Sequence, residues 1–305
     1  MKNKIQPKLT IGIPVYNGEK FIRTCLNSIL NQTFTDFQII LSDNASTDST
    51  TSICQEYANK DQRILFIKQK STEHAGITNP TGTLWNFNFV LQQATSEYFM
   101  WASADDIWHP EFIEKNLMFL EKHPDFVGST SELEFFTEMW NENDTSKFKN
   151  IQPKKKYEWV HPLIGTFEEK VKFIFDYKKG FEYAYAIFRT NHLKKCIIKK
   201  PFMSWEGALI LKILKYGNLN VEDGVMMFKY MGGKTSSDYN YTKLFTTTKN
   251  YWGYSTLASL FPFIPLTFHV FNVVGPKIFL KHLLKYFIKD NYRAERLVLL
   301  DIFSK

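Results

Sequence analysis

The sequence predicts an α/β fold in which a mainly parallel sheet carries helices on both faces, and three observations support it. From Lys8 to Pro124, short apolar runs alternate with segments of helical spacing. The connections between them are short, as strand–helix–strand units of a parallel sheet require. The runs are rich in Ile, Val and Phe with little polar alternation, as strands covered on both sides are. The pattern is Rossmann-like. In such sheets, ligands bind beyond the carboxyl ends of the strands.

The elements follow in order. "KLTIGIPVYN" reads as a buried strand ending near Pro14, and "EKFIRTCLNSILNQ" places Phe21, Ile22, Cys25, Leu26, Ile29 and Leu30 at helical spacing. "FQIILSDN" is a second strand, and "STDSTTSICQEYANK" offers Ser and Thr caps and a helical body. "RILFIKQ" is a third strand. Residues 71–82, with Gly76, Pro80 and Gly82, read as a loop before a third helix, "LWNFNFVLQQA". "EYFMWAS" is the fourth strand and "PEFIEKNLMFLEKHP" the helix after it.

Beyond residue 137 the rhythm breaks. "TEMWNENDTSKFKNIQPKKKYEW" is polar and basic and reads as a mobile loop. "TFEEKVKFIFDYKK" is helical, and "YAYAIFRTNHLKKC" is a strand or turn running into a helix. "SWEGALILKILKYGN" reads as an amphipathic helix closed by Gly217, followed by two short strands, "LNVE" and "VMMFKY", and a Gly-rich "MGGKTSS".

Composition narrows the function classes. At 305 residues with 44% hydrophobic, 16% aromatic and 23% charged side chains, the chain is a folded globular protein. A formal charge of +7 favours an anionic partner. No helix-turn-helix, zinc-finger or RNA-binding aromatic pattern supports a nucleic acid in that role. The three cysteines, 25, 54 and 196, are widely spaced and suit a reducing compartment. The N-terminus lacks the apolar core of a secretory signal, so a cytoplasmic location is expected.

Three polar clusters converge on the carboxyl rim: "PVYNGE", "SDNAST" and "SADD". The first has no GxGxxG, so a pyrophosphate is not expected on that helix N-terminus, and a dehydrogenase is disfavoured. Asp43, at the end of the second strand, is placed to accept bonds from a ribose hydroxyl or a base N–H. Asp105 and Asp106 fit a solvated turn feeding the next helix. They also fit a site for Mg2+ or Mn2+ that neutralises a diphosphate.

"LTIGIPVYNGEKFIRTCLNSILNQTFTDFQIILSDNASTDST" closely resembles the N-terminal segment of family-two glycosyltransferases, the inverting nucleotide-diphospho-sugar transferases, and "SADDIWHP" resembles their metal-binding aspartate motif. The resemblance covers roughly residues 8–236, most strongly 8–125. It implies the A-type glycosyltransferase fold, a UDP- or GDP-sugar donor and a divalent metal, Mn2+ or Mg2+. By that resemblance Pro14, Val15, Tyr16 and Glu19 look like the nucleotide-binding first loop, and Asp43 like the carboxylate that reads the base. Asp105 and Asp106 look like the ribose and metal contacts, in either order. Ser103 stands where the family often has Asp, and Trp85 where it tends to have Arg, with Asn86 retained beside it. Glu206 resembles the family's catalytic base, although an acidic residue in a first helical turn is also simply favoured by the helix dipole. Lys229 and Lys234 fall where relatives carry Arg and His over the diphosphate.

Residues 1–238 are therefore expected to form the catalytic domain, with a nucleotide half at about 8–130 and an acceptor half at about 131–238. Residues 239–305 are expected to form an amphipathic helical extension. There "KIFLKHLLKYFIK" sets Ile278, Phe279, Leu283, Tyr286 and Phe287 opposite Lys277, Lys281, Lys285 and Lys289. That fits a helix lying peripherally on the cytosolic face of a membrane through residues 250–289, and equally a helix packed on the protein's own core. A glycan or polyprenyl-linked acceptor in cell-surface glycan assembly is the expected partner. The alternative is a non-catalytic relative that binds or assembles.

Overall fold

A computed structural model describes residues 6–70, 80–136, 160–176, 182–199, 205–230 and 264–286. The loop at 71–79, the polar stretch 137–159, the "MGGKTSS" segment with Lys234, and residues 231–263 and 287–305 lie outside the described residues.

The first half builds as the alternation dictates. β1 (Leu9–Val15), α1 (Ile22–Leu30), β2 (Phe37–Asp43), α2 (Thr50–Lys60), β3 (Ile64–Lys68), α3 (Pro80–Gln93) and β4 (Tyr98–Trp101) follow one another. β1 pairs in parallel with β2 and β4, and β2 in parallel with β3. α3 starts earlier than expected, at Pro80, because proline at a first helical position lacks only an N–H that would have no partner there.

Gly12 is fixed by the packing of α3 on this sheet. A Cβ there would lie 2.6 Å from Val90 Cγ2 and 2.7 Å from Phe99 Cζ. Gly12→Ala is expected to cost about 1–3 kcal/mol through overpacking. Denaturant unfolding measures this; an unchanged midpoint would show that α3 yields at no cost.

The second half comprises β5 (Ile107–Trp108), α4 (Phe112–Lys122), β6 (Phe126–Phe136), α5 (Phe167–Asp176), a 3-10 turn (Glu182–Tyr185), β7 (Ile187–Arg189), α6 (Thr190–Lys194), α7 (Trp205–Ile213), β8 (Asn218–Tyr230), α8 (Ile264–Val274) and α9 (Pro276–Tyr286). The eight strands form one sheet in the order β3-β2-β1-β4-β7-β6-β8-β5. β7 runs antiparallel to both β4 and β6, so β6 returns to the direction of β4, and β8 pairs with it in parallel. The carboxyl ends of β1, β2, β4, β6 and β8 therefore share one rim, and the 3-10 turn that opens β7 lies on it too.

The structure differs from the sequence expectation in three further places. "LNVE" and "VMMFKY" are one strand, because Gly224 at φ +98° lets β8 continue through an irregularity where its register against β6 shifts. β5 and β6 were not expected. β6 buries Ser129, Thr130, Ser131 and Glu132, so its interior positions do not read as apolar. α7 is buried on most sides rather than amphipathic, with Gly207 through Leu211 and Ile213 enclosed, because α8 packs on it. Gly217 lies past its end, where a Cβ would come 2.6 Å from the Asp125 carbonyl oxygen.

Candidate functional site

Two loops of the rim are laced together by hydrogen bonds. Asn17, in the left-handed region at φ +49°, donates its N–H to Ser46 Oγ at 2.8 Å and accepts from the Thr47 N–H at 2.8 Å. Gly18 N–H donates to Thr50 Oγ1 at 2.7 Å, and the Asn44 N–H to the Val15 carbonyl at 2.8 Å. Glu19 is exposed and accepts from the Ser49 N–H at 2.9 Å. Pro14 and Tyr16 are partly exposed beside buried Val15.

Asp43 is fully buried beneath these loops. Oδ1 accepts from the Ser46 N–H at 3.0 Å and from its hydroxyl, and Oδ2 accepts from the Thr51 hydroxyl. Three donors thus fill three of the roughly four acceptor positions of a carboxylate, which leaves one. Asn86 is buried away from the rim surface. It accepts from the Ser42 hydroxyl at 2.6 Å and donates to the Ser42 carbonyl at 3.0 Å, fastening α3 to β2.

The two adjacent aspartates have different surroundings. Asp105 is partly exposed, on a shallow depression lined by Lys20, Phe21, Thr24 and Phe136, and one of its oxygens accepts from the Ser103 hydroxyl. Asp106 is 2% exposed. Its Oδ2 meets Lys229 Nζ at 2.8 Å and its Oδ1 accepts from the Tyr230 N–H at 3.2 Å. Burial pushes the Asp106 carboxyl up to about 7, and the Lys229 ammonium is the main force opposing that rise.

Lys229 is itself enclosed, with its side chain 13% exposed. Its ammonium lies 3.4 Å from Glu182 Oε2 and 3.9 Å from the centre of the Tyr185 ring. Burial works against this charge, but Asp106, Tyr185 and Glu182 together hold it well above the ordinary lysine range. The cation expected over a diphosphate is thus engaged inside the protein. Lys234 lies outside the described residues.

Glu206 opens α7, which packs against the 3-10 turn. The side chain is partly buried, and burial, reinforced by the Glu182 carboxylate, pushes its carboxyl up to about 7 against a hydrogen bond from its own backbone N–H and the smaller pull of Lys229. A carboxyl poised near neutral pH on this rim is suited to take a proton from a hydroxyl. The fold thus brings Asp105, Asp106, Lys229 and Glu206 to one rim from widely separated stretches. Glu182 and Tyr185 were not singled out from the sequence, although Glu182 is the one carboxylate in the aromatic run "GFEYAYAIF".

The model of the family described as "Glycosyl transferase family 2" matches residues 10–167, more than half of the chain, across both rim loops and the aspartate pair. The chain belongs to glycosyl transferase family 2. It is 27% identical over 247 residues to an uncharacterized glycosyltransferase of Haemophilus influenzae, covering 80% of this chain and 72% of that one. It is 27% identical over 164 residues to the glycosyltransferase GlyA of Streptococcus pneumoniae, spanning 54% of this chain but only 22% of that protein. The fold is similar to that of the Staphylococcus aureus protein TarS (residues 1–349), with a TM-score of 0.60 at 17% identity over 92% of this chain and 72% of that chain. It is also similar to the mannosyltransferase PcManGT of Pyrobaculum calidifontis, with a TM-score of 0.57 at 14% identity over 99% and 75% of the two chains. These likenesses establish the A-type glycosyltransferase fold.

Proposed function

We propose that this family-two chain transfers a sugar from a nucleotide diphosphate sugar to a hydroxyl of a glycan acceptor, with inversion at the anomeric carbon. The observation that carries this is the meeting, on one rim, of an open carboxylate at Asp105 and a carboxyl poised near neutral pH at Glu206. TarS has been crystallised with UDP-GlcNAc and PcManGT with GDP-Man and Mn2+, which supports a nucleotide sugar donor and a divalent metal here. TarS is named as a poly(ribitol-phosphate) β-N-acetylglucosaminyltransferase, which favours a cell-surface glycan as acceptor.

The residues present fit such a metal through Asp105. Mn2+ or Mg2+ in such sites takes one or two carboxylates together with substrate phosphates and waters. Asp105 keeps one oxygen clear of its bond to Ser103, whereas both oxygens of Asp106 already face a cation and an N–H. Asp105 is therefore the ligand and Asp106 the support beneath it. When bound, the metal supplies positive charge to the diphosphate as it leaves.

The nucleoside lies over Pro14, Val15, Tyr16 and Glu19, above the buried Asp43, which holds the loop that reads the base through Ser46 and Thr51. Glu206 takes the proton of the acceptor hydroxyl as its oxygen forms the new bond to the anomeric carbon. The bond from that carbon to the diphosphate oxygen breaks, and its electron pair leaves with the phosphate. Titration calorimetry of UDP and GDP, with and without Mn2+, tests this reading. Metal-dependent binding of one nucleotide is expected, and failure of every nucleoside diphosphate to bind would overturn it in favour of a non-catalytic binding protein.

We also place this activity at the cytosolic face of a membrane, reached through α8 and α9. Phe268 and Leu280 are 61% and 63% exposed, and Lys277 is exposed on α9 as well, a match for an anionic lipid surface, while Lys281 is paired with Glu168 of α5. No helix among the described residues is long and apolar enough to cross a membrane. The opposite face of the pair is internal, with Phe279 buried and α9 packed on α5. Phe268→Asp/Leu280→Asp is expected to lower binding to phosphatidylglycerol-containing vesicles by about tenfold or more, given the apolar area each side chain would bury. Equal co-sedimentation of variant and parent would refute the placement.

A further inference from the structure

We propose that Lys229 is a positioning residue that fixes the acceptor side of the site to the donor side. The inference rests on the reading of Asp105 and Glu206 given above and deepens it. Two parts of the fold meet β8 at the Lys229 ammonium: the β4–β5 connection through Asp106 at 2.8 Å, and the 3-10 turn through Glu182 at 3.4 Å and the Tyr185 ring at 3.9 Å. Asp106 directly follows Asp105, and the 3-10 turn packs on α7 and sets Glu182 to act on Glu206. One cation thus links the backbone that carries the donor carboxylate to the element that sets where Glu206 stands.

The charge arrangement makes this link necessary. Glu182 and Glu206 act on one another, and Lys229 is a cation that acts on both. Without it, like charges at short range in a partly dry environment either move apart or take up protons. Either response displaces the base or neutralises it. Lys229 needs no contact with the donor to matter, and its enclosure leaves its ammonium turned inward.

The groups that act on Glu206 are Glu182 from the 3-10 turn and Lys229 from β8, with Tyr185 beside them; on α8, which packs on α7, the titratable group is His269, held down by burial and by Lys212 further along α7. Removing Lys229 therefore takes away the cation that favours the ionised base, while Glu182 continues to oppose it. The acidic limb of the kcat profile should then move to higher pH.

The test compares Lys229→Arg, Lys229→Met and Asp106→Asn/Lys229→Met with the parent. The double variant leaves no unpaired Asp106 carboxylate and provides a folded protein should Lys229→Met fail to fold, with thermal melts as the check. In the double variant kcat is expected to fall about a hundredfold, the scale of a misplaced reacting group. Nucleotide affinity should fall by no more than the roughly tenfold that loosening the support beneath Asp105 costs, well short of the fall in kcat, and the acidic limb should shift upward. Lys229→Arg should return the limb to its parental position. Unchanged kcat and an unmoved limb in the folded double variant would overturn the proposal, as would lost nucleotide affinity with kcat preserved, which would assign Lys229 to the diphosphate. Glu206→Gln in the same assay separates the two readings. Full activity there would remove the base assignment, whereas the split between nucleotide affinity and kcat in the Lys229 variants reports on positioning by itself.

Discussion

Glu206→Gln is expected to lower kcat about a thousandfold while leaving nucleotide binding as in the parent. The amide matches the carboxylate in shape but cannot accept the acceptor's proton, and general base catalysis contributes about 10^2–10^4-fold. The pH dependence gives a second check. Glu206 stands in the first turn of α7, where the helix dipole favours its anion by about 0.3–1 kcal/mol. Burial and the neighbouring Glu182 outweigh that and push its carboxyl up to about 7. Only the ionised form is a base, so kcat should rise about tenfold per pH unit on the acid side and level off above neutrality. Glu206→Asp keeps the charge but withdraws it by one methylene, so it should retain more activity than the amide. A pH profile still rising through 7 in Glu206→Gln would mean that another group is the base, and Glu182, the carboxylate that acts on Glu206 from the 3-10 turn, would be the candidate.

How much of this was legible in the sequence follows from where each interaction originates. β1, β2 and β4 are read directly, because strands covered on both faces leave uninterrupted apolar runs, and Asp43 and Asp105 stand at their ends or just beyond. Glu206 is found as an acidic residue opening a helix. β6 is not, because its interior positions are served by hydrogen bonds: Ser129 donates to Asn116 at 2.6 Å, and a polar residue gives no periodic signal even when buried. The pairing of Lys229 with Asp106 is equally silent, since 123 positions separate them and only the antiparallel insertion of β7 brings β8 to the same rim. Local pattern specifies elements and their ends. The partner of a buried charge is set by strand order, which local pattern does not carry.

Asp105→Asn and Asp106→Asn, one residue apart, are expected to fail in different ways. Asp105 is partly exposed and bonded only to Ser103 on one oxygen, so its amide should fold with an unchanged melting temperature. Its loss removes the protein's own hold on the metal. Groups that merely support a metal ligand are worth about 10–100-fold in affinity, so losing the ligand itself should weaken metal-dependent nucleotide binding at least about a hundredfold. Asp106 is 2% exposed and paired at 2.8 Å with an ammonium that is itself enclosed. Breaking such a pair from one side leaves an uncompensated buried charge and costs about 3–5 kcal/mol of stability. Glu182 at 3.4 Å recovers part of that, because it remains to face Lys229. Calorimetry with Mn2+ and a thermal melt on both variants therefore decide between two uses of adjacent carboxylates. If Asp106→Asn instead abolished binding at full stability, the ion pair would have to open when donor arrives, and Lys229 would then be free to meet the diphosphate.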